Sequence, residues 1–234
     1  MTLSIIIPAY NEENTITQIL QKIVDVKLML DAQKEIIVVN DASKDATEQL
    51  VRDFIVSHSS DKVILVNQEK NQGKGAAIRK GIEKITGDYV IIQDADLEYD
   101  PWDYNPLLEL IVKNNLQVVY GSRFLNKTNH HSYQSFYLGG QIVTIITNLL
   151  YGQKLTDEPT CYKFFDATFL KSIPLDCTGF EFCPEITAKV AKRGIKIKEI
   201  PISYYPRSIE EGKKIKWSDG LEAIWTLVKY RFGG

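Results

Sequence analysis

This 234-residue sequence has no excess of positive charge, no paired-cysteine motif and no apolar run long enough to cross a bilayer. Its formal net charge of −2 excludes a strongly basic nucleic-acid binder, so no nucleic-acid partner is expected. The three cysteines, Cys161, Cys177 and Cys183, are odd in number and lack C-x-x-C spacing. That excludes the common zinc and redox frameworks and fits free intracellular thiols. The opening "LSIIIPAYNEE" has no basic leader, long apolar core or small-residue cleavage site, so a cytoplasmic protein is expected. The most membrane-like stretch, residues 136–152, is interrupted by Gln141, Thr144, Thr147 and Asn148. It falls short of the roughly 20 apolar residues that span a bilayer, which leaves a peripheral seat on the inner face of a membrane as the closest contact. Low-complexity tracts and fixed repeats are also missing. With 44% hydrophobic and 25% charged residues, the composition is that of one ordinary globular domain over 1–234.

What is present is an alternation. Short β-branched runs at residues 3–8, 35–40, 62–67, 88–93 and 116–122 read as strands. Between them, Ile16, Ile19, Leu20 and Ile23, then Leu50, Phe54 and Ile55, then Ala77, Ile78, Ile82 and Ile85 recur at helical spacing. Strands that are continuously apolar must be buried on both sides, so the order predicts an α/β fold with a mostly parallel sheet and helices on both faces. Ser43 or Asp45 is expected to open the second helix, and Gly87 to close the third.

Ligands of such sheets bind beyond the carboxyl ends of the strands. Four strands end there in "PAYNEE", "NDASKD", "NQEKNQGKG" and "QDADLE", all rich in acids, amides and small residues. In an extended continuation of the fourth strand, Asp94 and Asp96 would project to one face. Neighbouring carboxylates raise each other's pKa unless a cation lies between them, and Mg²⁺ or Mn²⁺ with oxygen ligands is the simplest remedy. Glu98 is a candidate third ligand. With 15 Asp in the chain, about one D-x-D is expected by chance, so the motif's place at the end of a buried strand gives it meaning. The stretch around Gly73 and Lys74 is not a Walker loop, because the earlier Gly and the following Ser or Thr are missing.

"SIIIPAYNEENTI", "IIVVNDASKDATEQL", "NQGKGAAIRKGIEKITGDYVIIQDADLEYDP" and "VVYGSRF" together resemble the inverting family 2 glycosyltransferases, and within them the dolichol- or polyprenol-phosphate sugar synthases. The resemblance runs from residue 3 to 126 and more loosely to 208. It implies a Rossmann-like GT-A fold, with residues 1–125 as the nucleotide-sugar half and 126–234 as the acceptor half. Pro8, Tyr10, Glu12 and Asp41 would hold the base and ribose of a GDP- or UDP-sugar. Lys74 and Arg79 would lie near the nucleotide or diphosphate, and Asp94, Asp96 and Glu98 around the metal. This chain departs from the usual D-A-D-L-Q by placing Glu98 where the family has Gln. Arg123 and Arg207 match phosphate-binding arginines, and because "SIEE" is inserted after Arg207, Lys213 and Lys214 would take over from the family's lysine.

The implied reaction is metal-dependent displacement at the anomeric carbon, with polyprenyl phosphate as acceptor. A hydroxyl acceptor in cell-surface polysaccharide synthesis is the alternative. A lipid phosphate is already anionic, whereas a hydroxyl needs a base. Asp157 matches a family position at the acceptor edge of the site and is the candidate for that base; alternatively it caps a turn before Pro159. Glu181 and Glu185, four apart on a helix, are either a catalytic pair or an acceptor-side residue with a solvated neighbour. From Lys189 to Lys216, nine Lys or Arg face three Glu, which fits an anionic partner or a solvated face. Leu221, Ile224, Trp225, Val228 and Phe232 form an apolar stripe that packs on the sheet or docks on a membrane. Many relatives carry C-terminal transmembrane helices, and a soluble single-domain form without them is expected here. A D-x-D phosphatase would carry its motif after the first strand. A non-catalytic sugar-nucleotide module would not need Asp41, Asp94 and Asp96 together.

Overall fold

The computed structural model describes residues 1–130, 134–208, 214 and 216–233. In chain order the elements are β1 Thr2–Ala9, α1 Ile16–Asp25, β2 Gln33–Asn40, α2 Thr47–Ser57, β3 Val63–Asn67, α3 Lys74–Ile82, β4 Tyr89–Ile92, α4 Tyr104–Lys113 and β5 Val118–Ser122. They continue with α5 Gln134–Tyr151, β6 Lys163–Asp166, α6 Ala167–Lys171, α7 Phe182–Lys192, β7 Lys198–Pro201 and α8 Trp217–Phe232. One seven-stranded sheet runs in the order β3-β2-β1-β4-β6-β5-β7. All pairings are parallel except those of β6, which is antiparallel to β4 and β5.

Leu3, Ile5, Ile6 and Ile7 on β1, and Val90 and Ile91 on β4, are fully buried. Successive strand residues face opposite sides, so both faces of the sheet are covered, as the continuous apolar runs require. The five strands read from the sequence are all present. The two it did not announce, β6 ("KFFD") and β7 ("KEIP"), are four residues long like β4, but two of the four are charged in each, so no apolar run marks them.

Neither expected cap forms as read. α2 begins after Ala46, and Ser43 Oγ instead accepts the Asn11 N–H at 3.0 Å. Asp45 accepts the N–H groups of Thr47 and Glu13. In return, Asn11 Oδ1 accepts the Lys44 N–H and Glu13 Oε2 the Ala46 N–H. The loops after β1 and β2 are therefore stitched together by reciprocal side-chain to backbone bonds. α3 ends at Ile82 with Glu83 as its C-cap, and Gly87 donates its N–H to Ser4 Oγ at the start of the next strand.

Among the described residues, no helix is long and apolar enough to cross a membrane. α5 buries Val143, Thr144, Thr147 and Tyr151, packs against α7 and α8, and turns Leu138, Ile142, Ile145 and Leu149 outward.

The entrance to the sheet is fixed by Glu35, whose side chain is fully buried. It accepts from Ser4 Oγ at 2.6 Å, Thr86 N at 2.7 Å and Thr86 Oγ1 at 2.6 Å, and pairs with Lys62 at 2.5 Å. Burial alone would raise its pKa, but Lys62 and the hydrogen bonds prevail and hold it at about 2 against an ordinary 4.5. The folded chain thus favours the ionised form, so this stabilisation is complete above pH 4.5 and is lost as the pH falls toward 2. Glu35→Gln is expected to lose about 3 kcal/mol at neutral pH and to flatten the pH dependence of stability across that window, as urea unfolding at a series of pH values would measure.

Candidate active site

The carboxyl ends of β1 to β4 meet at one edge of the sheet. β4 stops at Ile92, so strand periodicity does not itself carry Asp94 and Asp96. Gln93 anchors the turn, its side-chain carbonyl accepting the hydroxyls of Tyr104 at 2.5 Å and Tyr162 at 2.6 Å. The two aspartates are nonetheless neighbours, and each has its own cation. Lys74 Nζ lies 2.5 Å from Asp94 Oδ1, and Arg207 Nη2 lies 2.9 Å from Asp96 Oδ2.

The electrostatics of the two differ. Burial would raise Asp94, but the Lys74 ammonium outweighs it and holds the carboxyl below its usual range. Burial, with Asp94 and Glu98 alongside, pushes Asp96 up to about 7 despite Arg207. The Arg207 guanidinium also faces Glu12 Oε2 at 3.6 Å and Glu98 Oε1 at 3.9 Å. Among the described residues, its Nε is buried without a hydrogen-bond acceptor. Lys214 Nζ adds an ion pair with Glu12 Oε1 at 2.6 Å and a bond to the Tyr10 carbonyl. Lys213, the lysine expected here, lies outside the described residues. Tyr10, Glu12, Lys74, Asp94, Asp96, Arg207 and Lys214 thus form one cluster, with Pro8 next to it in β1.

Several expected roles are corrected. Glu98 is no ready third metal ligand. Its Oε2 accepts the Tyr204 hydroxyl at 2.9 Å and its Oε1 the Arg207 N–H at 2.9 Å. Among the described residues, no three His, Cys, Asp or Glu side chains converge as a metal cage. Asp41 commits both oxygens to the loop after β3, accepting from Gln72 N and Gly73 N at 2.8 Å and Gln68 Nε2 at 2.7 Å.

Arg79 is turned away from the cluster and donates to the Asp176 carbonyl at 2.8 Å. The donors at the start of α3 are spent likewise, Gly75 N on Gly179 O at 3.1 Å and Ala76 N on Thr178 O at 2.9 Å. A side chain at residue 75 would bring a Cβ within 2.8 Å of Cys177 O and 2.9 Å of Gly179 O, which explains the glycine. The "NQGKG" stretch therefore gives the site one cation, Lys74, and clasps the 176–179 loop with its backbone. Glu181 and Glu185 are anchors of that loop, not a catalytic pair. Glu181 takes the N–H groups of Thr178 and Gly179, and the fully buried Glu185 takes those of Asp176 and Cys177, Lys189 Nζ and the Tyr230 hydroxyl.

Asp157 is fully buried and grips Arg123 in a fork, Nε to Oδ2 and Nη2 to Oδ1, both at 2.7 Å. Oδ2 also accepts the Arg123 N–H at 2.9 Å. Fully buried, with three carboxylate hydrogen bonds all to Arg123, Asp157 is placed as a scaffold for Arg123, not as a solvent-facing base. Glu199, missed in the sequence, fixes the turn by accepting from Thr156 N at 2.6 Å and Asp157 N at 3.0 Å. Arg123 lies over the Tyr204 ring at 5.1 Å, so Tyr204 touches both Arg123 and Glu98. Its only sequence signal was membership of the "ISYYPR" stretch.

With this geometry in place, the comparisons with known proteins agree. The model for "Glycosyl transferase family 2" matches residues 4–173, and the chain belongs to that family. It is a glycosyltransferase. A dolichyl-phosphate beta-glucosyltransferase of Trichomonas vaginalis is 30% identical over 97% of this chain and 72% of its own. A low-salt glycan biosynthesis hexosyltransferase of Haloferax volcanii is 26% identical over 98% of this chain and 52% of its own. The fold matches glucosyl-3-phosphoglycerate synthase of Mycobacterium tuberculosis, solved with Mn²⁺, uridine diphosphate and glucosyl-3-phosphoglycerate. The TM-score is 0.71 at 20% identity, covering 99% of this chain and 80% of that one.

Asp157→Asn leaves a buried guanidinium without its charge partner and is expected to cost about 3 kcal/mol in urea unfolding, a loss that a free catalytic base would not show. Gly75→Ala is expected to cost about 1–3 kcal/mol in the same measurement, because backbone atoms must move to admit the methyl group.

Proposed function

We propose that this glycosyltransferase moves a sugar, with inversion, from a GDP- or UDP-sugar to a polyprenyl phosphate, using Mg²⁺ or Mn²⁺. The observation that carries this is the pair Asp94 and Asp96, set at the carboxyl edge of the sheet and each met by a cation of the chain. The donor set fits such a metal, because two carboxylate oxygens suit a hard cation that takes its remaining ligands from a diphosphate and water. The Arg207 Nε points the same way, being a buried donor that makes no hydrogen bond among the described residues, with Glu98 Oε1 no nearer than 3.9 Å. When bound, the metal supplies Lewis-acid stabilisation of the leaving diphosphate.

The residues of the chain supply the rest. Residues 1–125 hold the donor, with Pro8, Tyr10 and Glu12 lining its nucleotide end and Asp41 shaping the loop beside it. Arg207 and Lys214 exchange their carboxylate partners for diphosphate oxygens as the donor enters. Residues 126–234 receive the acceptor, whose phosphate is met by Arg123, held in orientation by Asp157 and Glu199. No protein base is required, since a phosphate with a second pKa near 6 is mostly dianionic at neutral pH. The commitment of Asp157, Glu181 and Glu185 to scaffold contacts favours a phosphate acceptor over a hydroxyl. The name and 30% identity of the Trichomonas relative support the same acceptor class.

A lipid acceptor requires contact with a membrane surface. Leu138, Ile142, Ile145 and Leu149 make one exposed stripe on α5, and Trp217, Leu221, Trp225 and Phe232 are exposed on α8, against which α5 packs. Apolar side chains so arranged support a peripheral seat in the headgroup region.

Purified protein is to be assayed with a panel of GDP- and UDP-sugars, with and without polyprenyl phosphate. Transfer to the lipid phosphate that stops on chelation of the metal is expected, and transfer only to a sugar hydroxyl would overturn the acceptor assignment. Asp96→Ala should lower turnover by roughly 10²–10³-fold or more.

A further inference from the structure

Resting on the assignment of Asp94 and Asp96 to the metal, we propose that Glu98 is a positioning residue: its carboxylate is the catch that holds residues 204–207, and with them the Arg207 guanidinium, over Asp96.

Glu98 is only 8% exposed, and both its oxygens face the segment that follows β7. Oε2 takes the Tyr204 hydroxyl and Oε1 the Arg207 backbone N–H, each at 2.9 Å. The Glu98 carbonyl takes the Tyr205 N–H at 2.8 Å. Next to it, Tyr99 and Tyr204 form an isolated antiparallel bridge, and their rings meet edge to face at 5.5 Å. Asp96 and Glu98 of the metal loop and the arginine are thereby linked in a closed circuit. The Glu98 N–H bonds Asp96 Oδ1 at 3.1 Å, the Glu98 carboxylate fixes the Arg207 backbone, and the Arg207 side chain returns to Asp96 Oδ2. One residue sets where the cation of the acceptor half meets the carboxylate of the donor half.

A carboxylate suits this catch because it accepts from both donors. An amide accepts from one, yet its NH₂ can donate to the Tyr204 oxygen if the phenol turns its proton elsewhere. Glu98→Gln should therefore keep the catch. Glu98→Ala should release it, because the hydroxyl and the N–H both lose their acceptor.

The test uses the full chain, with thermal unfolding as the check on folding. Binding of Mn²⁺ alone is followed by electron paramagnetic resonance, and exchange of the Tyr205 and Arg207 amides by mass spectrometry. Glu98→Ala is expected to bind Mn²⁺ within about twofold of the parent while exchange at the Arg207 amide, whose acceptor is the carboxylate, rises about tenfold or more; the Tyr205 amide keeps the Glu98 backbone carbonyl as acceptor and follows only as the segment loosens. Glu98→Gln should restore most of the protection, and Tyr204→Phe should lose only part of it. Those two variants carry the test should the alanine variant fail to fold. Mn²⁺ affinity reduced about tenfold or more in Glu98→Ala, the loss typical of a missing ligand or its close support, would overturn the proposal. Unaltered exchange in Glu98→Ala would do the same. Asp96→Asn separates the two claims. If it keeps full Mn²⁺ affinity, the metal assignment fails, while the exchange data still decide the catch.

Discussion

Two carboxylates side by side at the mouth of a buried strand repel each other and lose their hydration, and the site is organised around compensating that charge. The compensation comes from distant parts of the chain, Lys74 at the start of α3 and Arg207 after β7. Neither pairing is a surface ion pair of little consequence, since all four side chains are below a fifth exposed. Charge neutralisation thus draws the start of α3 and the segment after β7 onto a single point. A divalent cation and a diphosphate carry between them the same kinds of charge and can substitute for these internal partners without leaving a bare ion in the protein.

Around that point the loops are tied by side chains that accept backbone N–H groups, an economical way to order irregular chain. Asp41 orders the loop after β3, Glu181 and Glu185 the segment before α7, and Glu199 the turn that carries Asp157. Each acid spends its lone pairs on structure, so the number of acids near the site overstates the number available for chemistry. The distinction between the two kinds of acid lies in their partners. Asp94 and Asp96 are paired mainly with side-chain cations that can be exchanged, while the others hold backbone that cannot leave.

Much of this fold could be read from the residues because the first five strands lie within continuous, mostly apolar runs between helical periods, a pattern that burial on both faces dictates for the central ones. β6 and β7 were invisible because charged residues fill half of their four positions, Lys163 and Asp166 in one and Lys198 and Glu199 in the other, so no apolar run marks them, although Lys163 is fully buried. At the site, the paired aspartates were legible from their place after β4, although the strand geometry invoked for them ends two residues too early. Side-chain direction was not legible. Glu98, Asp157, Arg79 and Glu185 occupy plausible positions, yet each is claimed by a partner remote in sequence, Tyr204, Arg123, Asp176 and Tyr230 respectively, while Glu181 is spent on the neighbouring Thr178 and Gly179. Long-range hydrogen bonds leave no local periodicity to detect.

The reversed direction of β6 bears on how the catalytic edge is furnished. In a wholly parallel sheet only the segments leaving strands arrive at that edge. Because β6 runs against its neighbours, the residues entering it, Asp157 to Tyr162, arrive there instead, with Cys161 donating its N–H to Tyr99 and Tyr162 its hydroxyl to Gln93. A single inverted ribbon thus lets incoming chain fill the gap between β4 and β5, so that early and late segments of the sequence share one floor.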